Sequence, residues 1–427
     1  MFICEECGYR SVKWLGKCLG CGSWESFVEE IKVDKKVEHE KLTPKAVREI
    51  EISSNHRFKS GIAELDRVLG GGLTKGSVVL FSGAPGIGKS TILLQAMSKY
   101  AANSNAIYVS GEESEEQIKS RAVRVGIEDL KVISSTNIDA ILNACKDASV
   151  VAIDSIQTMG NSDISGSISQ IRESISKIIN LAKTKGISFI VIGHVNKEGK
   201  IAGPKMLEHM VDTVVELEGD RDLQYRILRT VKNRFGSINE VGVFKMTSSG
   251  MEEVTNPSEL FISNSTSEPG SIIAPIIEGN RVFLVEIQSL VSPASLGIPR
   301  RISQGMDSSF VQILSAVCEK SLNLNLSSRD IYFNIPGGIK TKDTSIGLAL
   351  ILSIYSSYNN RPIDVAAVGE VGLTGELRKV SFLDLRVKEL ARLGFKKIVV
   401  PNKIPVGKGV ELIVIKNIKE IPGLLSD

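Results

Sequence analysis

The stretch Ser82-Gly83-Ala84-Pro85-Gly86-Ile87-Gly88-Lys89-Ser90-Thr91 (SGAPGIGKST) decides the fold, because it fits the pattern G-x-x-x-x-G-K-[ST]. It follows the apolar run SVVLF and precedes the helix-like run STILLQAMSKY, which is the context that this phosphate-binding loop requires. Its backbone N–H groups and the start of the helix surround phosphates with partial positive charge. We predict that residues 83–91 bind ATP or ADP, with Lys89 at the β- and γ-phosphates and Ser90 on Mg²⁺.

Acidic residues after two later apolar runs predict the rest of a nucleotide site. SVVAIDS is a buried strand that ends at Asp154, the carboxylate expected to hold the Mg²⁺ water shell. NAIYVSGEES ends at Glu112, which we expect to orient the attacking water, with Glu113 as the alternative. Both glutamates also fit an acidic helix start that the helix dipole favours. His194, after ISFIVIG, is either a sensor of the γ-phosphate or a structural histidine.

The pattern of apolar runs predicts an α/β protein. Short β-branched runs alternate with helix-length segments, which is typical of a mostly parallel sheet with crossover helices. After a boundary rich in Ser, Asn and Pro, a second α/β block follows. The predicted divisions are a zinc module at 1–30, a linker at 31–57, an ATPase domain at 58–255, a boundary at 256–271 and a C-terminal domain at 272–427.

Two cysteine pairs near the start predict a metal site. Cys4-x-x-Cys7 and Cys18-x-x-Cys21 have the spacing of a closed four-thiolate Zn²⁺ site, whereas the alternatives are a redox pair or chance cysteines. The zinc would also supply folding energy to a block too small for its own core. The basic and aromatic residues of this block form either a nucleic-acid surface or its core and solvated rim; they are Lys13, Trp14, Lys17 and Trp24.

Composition limits the remaining possibilities. The 427 residues are 42% hydrophobic, enough for two or three packed domains, and a net charge of +3 means that any DNA-binding surface is local. No apolar run reaches the ~18–20 residues of a membrane span, and the start MFICEECGYR lacks the pattern of a secretion leader. We therefore expect a cytoplasmic protein without a membrane partner, in which Cys145 and Cys318 are buried thiols.

The order of these motifs resembles the bacterial RadA (Sms) family of DNA-repair proteins over essentially the whole chain. The resemblance rests on the cysteine module, the phosphate loop, VSGEES, IDSIQTM, KNRFG at residues 232–236 and GEVGLTGELRKV. It implies a RecA-like ATPase core, shared with replicative helicases of the DnaB type, and a Lon-protease-like C-terminal domain. It also implies a homo-hexameric ring that moves along single-stranded DNA and extends strand exchange at branched recombination intermediates. RecA is the implied partner, and a replicative helicase is a further candidate.

The resemblance also implies roles for individual residues. Lys89, Ser90, Glu112 and Asp154 take the catalytic roles of the core. Lys232 and Arg234 of KNRFG would contact a neighbouring subunit's ATP and DNA-coupled elements, whereas the alternative is a solvated basic turn. The residues at two positions, Ala84 and Asn196, differ from those usual in the family, but neither position is critical for phosphate contacts.

The C-terminal domain resembles Lon, which uses a Ser-Lys dyad. Ser345 lies near the position of the Lon nucleophile, and Asp384 takes the position of the Lon lysine. An aspartate does not replace that amine, so we predict an inactive protease whose domain serves ring assembly and DNA contact. The candidate phosphate contacts are Arg300, Arg301, Lys340 and Lys342, each of which also fits a solvated surface charge. The rival interpretations of the chain are an ATP-controlled assembly regulator and an ATP-dependent protease.

Overall fold

A computed structural model describes residues 2–4, 9–24, 26–29, 46–49, 56–160, 167–193, 206–219, 225–260, 262, 268–294 and 299–425. The chain divides into two compact units, Met1–Ser54 and Asn55–Asp427. Within the described segments, the helices fall short of the length and apolar character that a bilayer crossing requires.

The first unit is a small antiparallel sheet. Its strands are β1 (Phe2–Cys4), β2 (Arg10–Ser11) and β3 (Phe27–Glu29), in the order β2-β1-β3. Its core consists of Cys4, Cys18 and Phe27, against which Phe2 and Leu15 pack. A core of this size is too small to stabilise a fold by apolar burial alone.

The two tryptophans of the first unit lie on its surface. Trp14 is 52% exposed and Trp24 is 72% exposed, and the Lys17 ammonium lies 5.5 Å from the centre of a Trp24 ring. The tryptophans are therefore outside the core of the module, which consists of cysteines and Phe27, and their role as a nucleic-acid surface or as part of the solvated rim stays a prediction.

The second unit begins with a nine-stranded sheet in the order β14-β13-β12-β11-β6-β10-β9-β7-β8. Two short antiparallel strands precede it in sequence, β4 (Arg57–Phe58) and β5 (Leu73–Thr74), with one helix between them. The sheet strands are β6 (Val78–Gly83), β7 (Ala106–Ser110), β8 (Lys131–Ser134), β9 (Val150–Asp154), β10 (Ser188–Ile192), β11 (Thr213–Glu218), β12 (Tyr225–Asn233), β13 (Val241–Thr247) and β14 (Gly250–Glu253). The helices are α1 (Ala63–Val68), α2 (Lys89–Ala101), α3 (Glu115–Arg124), α4 (Ile138–Ala144), α5 (Ile168–Lys185) and α6 (Met206–Met210).

The central strands are parallel and fully buried. Every residue of β6, β7, β9 and β10 is buried, because helices cover both faces of the sheet. The strands from β8 to β11 in the sheet order are parallel, whereas β12, β13 and β14 extend it as an antiparallel meander. The predicted fold class, with a mostly parallel central sheet, is confirmed.

A second, mixed sheet follows in the order β17-β18-β16-β15-β19-β22-β23. Its strands are β15 (Ser271–Glu278), β16 (Arg281–Pro293), β17 (Arg301–Gln304), β18 (Arg329–Asn334), β19 (Ala366–Ala367), β22 (Lys397–Val400) and β23 (Glu411–Val414), beside a hairpin of β20 (Glu370–Val371) and β21 (Leu377–Arg378). The helices are α7 (Ser308–Leu322), α8 (Gly347–Asn359) and α9 (Leu383–Arg392).

The two sheets of the second unit share a hydrophobic core. Val241 and Val243 of β13 belong to the same buried cluster as Ile272 and Phe283 of the second sheet. Arg229 of β12 joins the sheets electrostatically, because it contacts Glu218 at 3.3 Å and Glu278 at 3.0 Å. The apolar packing therefore continues past the predicted boundary at 256–271, and the domain limits stay predictions.

The cysteines of the second unit are buried. Burial raises the pKa of Cys145 to about 11 and that of Cys318 to about 12. Their thiols therefore stay protonated at neutral pH and behave as small apolar groups.

Candidate functional site

The phosphate loop connects β6 to α2 and depends on two glycines. A Cβ at Gly83 would lie 2.5 Å from the Leu217 carbonyl oxygen, so only glycine fits beside β11. Gly88 has a φ of 114°, and a Cβ there would lie 2.6 Å from Cε of Met246. Both positions therefore require the absence of a side chain, and the backbone stays accessible for close approach to phosphates.

Lys89 is buried at the first position of α2. Its Nζ donates hydrogen bonds to the carbonyl oxygens of Gly83 at 2.8 Å and Ala84 at 3.0 Å. Burial lowers the pKa of Lys89, and the negative charges of Asp154 and Glu112 partly offset that effect. The structure therefore brings this ammonium and the two predicted carboxylates within electrostatic range of each other.

Asp154 is held at the carboxyl end of β9 by a tyrosine from the neighbouring strand. The Tyr108 hydroxyl donates to Oδ2 of Asp154 at 2.6 Å, and only 5% of Asp154 is exposed. Burial, followed by the charge of Asp154, raises the pKa of Tyr108 well above its usual value, so the hydroxyl remains a donor. The carboxylate is thus oriented by a residue that the sequence pattern did not identify as functional.

Glu112 and Glu113 have different partners. The Ser155 hydroxyl donates to Oε1 of Glu112 at 2.6 Å, which ties Glu112 to the residue after Asp154. Glu113 instead forms an ion pair with Arg121 of α3. Burial raises the pKa of Glu113, and Arg121 opposes that effect. Glu112, rather than Glu113, is thus tied to the segment that carries Asp154, the predicted metal carboxylate.

A cavity of about 350 Å³ opens beside the loop. Its walls come from the loop, from α3 and from the β13–β14 hairpin; the lining residues are Gly86, Gly88, Lys89, Ser90, Thr91, Arg121, Arg124, Met246, Thr247, Ser248 and Gly250. Gln95 of α2 accepts a hydrogen bond from the Met251 N–H at 2.9 Å and so holds the hairpin in place. The hairpin lies far from the loop in sequence, and no local pattern marked it as part of the site.

The two KNRFG cations lie at the end of α6. Lys232 Nζ donates to the carbonyl oxygens of Glu208 at 2.7 Å and Val211 at 2.8 Å, a favourable place for a cation at a helix C-terminus. Burial, followed by the charge of Arg234, lowers the pKa of Lys232. Arg234 lies 3.5 Å from Asp212, and 51% of its side chain is exposed.

Strand register places these cations away from the phosphate loop. In the pairing of β11 with β6, Thr213 lies opposite Val79 and Leu217 lies opposite Gly83. Thr213 also pairs with Asn233, so KNRFG lies near the amino end of β6. The strand between Val79 and Gly83 separates it from the loop by about 13 Å, at ~3.3 Å per residue. The structure therefore does not bring Lys232 and Arg234 together with Lys89 within one chain.

The four C-terminal cations differ in their surroundings. Arg300, Lys340 and Lys342 are exposed. The Arg301 guanidinium donates instead to the carbonyl oxygens of Arg329 at 2.6 Å and Leu326 at 2.7 Å, and burial lowers its pKa. The Arg301 guanidinium is therefore already hydrogen-bonded to backbone carbonyl groups, which makes it a weaker candidate for a phosphate contact.

Ser345 is buried against an arginine. Nη1 of Arg386 donates to the Ser345 hydroxyl at 2.7 Å, and Nη2 of Arg386 lies 2.8 Å from Asp343. Asp384, which takes the position of the Lon lysine, is exposed on the first turn of α9. The charged partner of Ser345 is thus two residues further along the helix than the position that the resemblance indicated.

The thiols of the first unit fit a zinc ion. Sγ atoms of Cys4, Cys18 and Cys21 lie within 4.8 Å of one another, and those of Cys4 and Cys21 are 3.7 Å apart. Four sulfurs at ~2.3 Å from a tetrahedral zinc would be about 3.8 Å apart. The Gly20 N–H also donates to Sγ of Cys18 at 3.3 Å, as expected for a thiolate ligand. The fourth predicted ligand, Cys7, and the predicted sensor, His194, lie outside the described residues, as does Asn196.

Three families match successive parts of the chain. Residues 2–29 match the rubredoxin metal binding domain, residues 44–200 match the AAA domain, and residues 277–420 match the C-terminal proteolytic domain of Lon protease (S16). A rubredoxin-type match together with three clustered thiols supports zinc, and the AAA match supports a nucleotide with Mg²⁺.

Named relatives match nearly the full chain. The chain is 47% identical to the DNA repair protein RadA of Bacillus subtilis, over 98% of this chain and 97% of the relative. It is 42% identical to the DNA repair protein RadA of Aquifex aeolicus, again over 98% of this chain and 97% of the relative. A solved KaiC-like protein of Pyrococcus horikoshii is 22% identical with a TM-score of 0.40, covering 46% of this chain and 98% of that one. A likeness at this TM-score does not bear on the function of the chain.

Proposed function

The chain belongs to the RadA family of DNA repair proteins, and we propose that its ATPase drives a ring-shaped motor along single-stranded DNA. The motor would act as a helicase that extends branch migration of recombination intermediates together with RecA, and a replicative helicase is a further candidate partner. One observation carries this proposal: the nucleotide-site residues lie at the carboxyl edge of the parallel strands, and the KNRFG cations lie at the opposite edge of the same sheet.

The chain's own residues account for the ATPase half of the proposal. Backbone N–H groups of residues 86–91 bind the phosphates, and the Lys89 ammonium exchanges its two carbonyl partners for phosphate oxygens. Glu112, fixed by Ser155, accepts a hydrogen bond from the attacking water and orients it. Ser90 and Asp154 would hold Mg²⁺, which when bound neutralises charge on the phosphates.

The placement of Lys232 and Arg234 supports an assembly with nucleotide between subunits. Both residues lie near the amino end of β6, away from the loop of their own chain. The Arg234 side chain is half exposed at that sheet edge, where it also contacts Asp212 and the His209 carbonyl oxygen. A neighbour stacked with its loop against this edge would receive a cation that stabilises charge on the transferring phosphoryl group. We therefore propose catalysis in trans, within a homo-hexamer.

We also propose a DNA-binding surface in the C-terminal domain and a zinc site in the first unit. Arg300, Lys340 and Lys342 are exposed, and as a set they would give sequence-independent, salt-dependent contacts to the DNA backbone. Arg301 belongs to the same predicted set, but it would contribute mainly by holding the backbone near Arg300. The four cysteines Cys4, Cys7, Cys18 and Cys21 would hold one structural Zn²⁺.

The contacts of Ser345 argue against the protease alternative. A general base has to accept the serine proton, whereas Arg386 is a permanently charged donor to that hydroxyl. Ser345 is also 3% exposed, so a peptide would not reach it in this arrangement. We propose that this domain is proteolytically inactive.

The proposed function is tested by measuring ATP turnover with and without single-stranded DNA. We expect DNA to stimulate turnover, Lys89→Ala to abolish it, and casein to remain uncleaved under the same conditions. ATP turnover that is unchanged by DNA would favour the alternative function, an ATP-controlled assembly regulator that does not translocate on DNA. Stimulation by casein accompanied by its cleavage would favour the protease.

A further inference from the structure

A buried arginine lies behind the phosphate loop. Arg226 belongs to β12, in which buried positions alternate with half-buried ones, and its buried neighbours along the strand are Leu228 and Thr230. Only 4% of Arg226 is exposed. A guanidinium at such a core position is costly unless its N–H groups are hydrogen-bonded, so its contacts indicate what it does there.

Arg226 contacts the loop itself. Its Nε donates to the carbonyl oxygen of Ile87 at 3.1 Å, and its Nη1 donates to the carbonyl oxygen of Tyr225 at 2.8 Å. Ile87 precedes Gly88 and Lys89, and its side chain is buried in the core under the loop. Arg226 therefore reaches across the sheet to one peptide group in the middle of the phosphate-binding sequence.

The geometry of a peptide group explains why this contact matters. In a planar trans peptide the C=O and the N–H point in opposite directions. Because Arg226 holds the Ile87 carbonyl on the core side, the Gly88 N–H of the same peptide is directed to the other side, toward the cavity. A rotation of this peptide would replace a donor with a carbonyl oxygen, which repels phosphate.

Gly88 does not fix this orientation by itself. It has a φ of 114°, a region that glycine enters without steric cost, so Gly88 places no barrier of its own on rotation of the peptide before it. Packing around Arg226 is close: a Cβ at Gly219 would lie 2.8 Å from its Cδ. The arginine side chain is thus held from the β11 side while it holds the loop.

We propose that Arg226 is a positioning residue for nucleotide binding, which fixes the Ile87–Gly88 peptide so that the Gly88 N–H faces the phosphates. This inference rests on the proposed ATPase function and adds a residue to its site. Arg226 is not among the residues that line the cavity beside the loop, so it would act on bound phosphates through its contact with Ile87. Its effect is expected on the binding of any ligand that carries a diphosphate, independent of the base.

The test compares Arg226→Met and Arg226→Lys with Arg229→Met as a matched control. Arg229 lies on the same strand but contacts Glu218 and Glu278 instead of the loop. Calorimetry gives the dissociation constants for ADP and for pyrophosphate, both with Mg²⁺, and thermal unfolding without ligand reports the fold. We expect Arg226→Met to weaken both ligands about ten- to a hundred-fold, corresponding to one lost charge-assisted hydrogen bond. Arg226→Lys is expected to recover part of the affinity, and Arg229→Met to bind like the unmodified protein.

Each outcome decides the inference. Unchanged affinity in Arg226→Met overturns it, and so does an equal loss in Arg229→Met, since that would reflect general destabilisation. If Arg226→Met does not fold, Arg226→Lys decides, because a weaker binding at an unchanged melting temperature supports positioning and an unchanged affinity overturns it. Failure of the ATPase proposal is recognised separately, because the unmodified protein would then not bind ADP, or Lys89→Ala would bind it equally well.

Discussion

Glu112 and Glu113 are neighbours in sequence with opposite surroundings. Ser155 ties Glu112 to the end of β9, whereas Arg121 ties Glu113 to α3. The sequence identified both as candidates, since both follow a strand at its carboxyl end. The choice between them depends on which side chain is tied to the segment that carries Asp154, and this is a tertiary contact.

The first prediction separates these two residues. Glu112→Gln is expected to reduce ATP turnover about 10²- to 10⁴-fold while ADP binding remains, because the amide does not activate water. Glu113→Gln is the control: it loses the ion pair with Arg121 but should keep turnover within a few-fold. Steady-state ATPase rates and ADP affinity measure both variants. The reverse pattern would transfer the role to Glu113.

At the scale of elements, the N-terminal unit depends on its thiols. Its three strands are short, its tryptophans are exposed, and Cys4, Cys18 and Phe27 make up most of its core. Zinc would therefore contribute the folding energy that apolar burial does not supply. The sulfur–sulfur distances among Cys4, Cys18 and Cys21 support a zinc site, whereas the short strands add little to the stability of the unit.

Cys18→Ser is expected to lower bound zinc to near zero per chain, because a closed four-ligand site loses its geometry with one thiolate. Metal analysis of the purified protein measures this, and protease sensitivity of residues 1–30 reports the fold of the unit. Cys145→Ser serves as the control, since that thiol is buried far along the chain. One equivalent of zinc retained in Cys18→Ser would contradict the four-thiolate site.

The buried group around Arg386 stabilises the C-terminal part of the second unit. Arg386 joins α9 to Asp343, to Ser345 and to the carbonyl oxygen of Pro275 in β15. Burial alone would raise the pKa of Asp343, but the charge of Arg386 and hydrogen bonds to the carboxylate hold that pKa below its ordinary value. The carboxylate's contribution to stability is therefore complete above its unfolded pKa and is lost as pH falls through the lower folded pKa.

Arg386→Met is expected to lower the free energy of unfolding by about 3 kcal/mol at pH 7, because it leaves Asp343 buried without its cation. In the variant burial is opposed only by the remaining hydrogen bonds from Ile277 and Ser345, so the pKa of Asp343 rises and the deficit should shrink as pH falls from 7 toward 4. Urea unfolding across that range measures the difference. The double variant Arg386→Met/Asp343→Asn should recover much of the loss, and a deficit independent of pH would contradict this explanation.

At the scale of the whole molecule, the sheet separates the two halves of the proposed composite site. The loop lies at the carboxyl end of β6, and Lys232 and Arg234 lie at its amino end. A parallel sheet places all strand starts at one edge and all strand ends at the other, so the loop and the KNRFG cations of one chain stay apart. Stacked copies, with the loop of one against the KNRFG edge of the next, would bring a loop and these cations together.

Mixing two inactive variants tests this arrangement. Arg234→Ala should hydrolyse ATP slowly while still binding it, and Lys89→Ala should neither bind nor hydrolyse. In mixed rings, the intact loop of the first variant meets the intact arginine of the second, so ATPase activity should reappear above the sum of the separate samples. A mixture that stays at that sum, although the variants co-assemble by native mass spectrometry, would argue against a contribution in trans.

Local sequence determined the phosphate loop, the alternation of strands with helices and the acidic residues at strand ends. These features depend on short-range rules: glycine permits the loop geometry, β-branched runs form buried strands, and parallel strands end at a common edge. The tertiary structure alone decided the different partners of Glu112 and Glu113, the hydrogen bonds of Arg301, the pairing of Ser345 with Arg386 and the contact of Arg226 with Ile87. Each of these joins residues distant along the chain, and the hydrogen-bond partner of a buried polar group depends on packing, which no local pattern encodes.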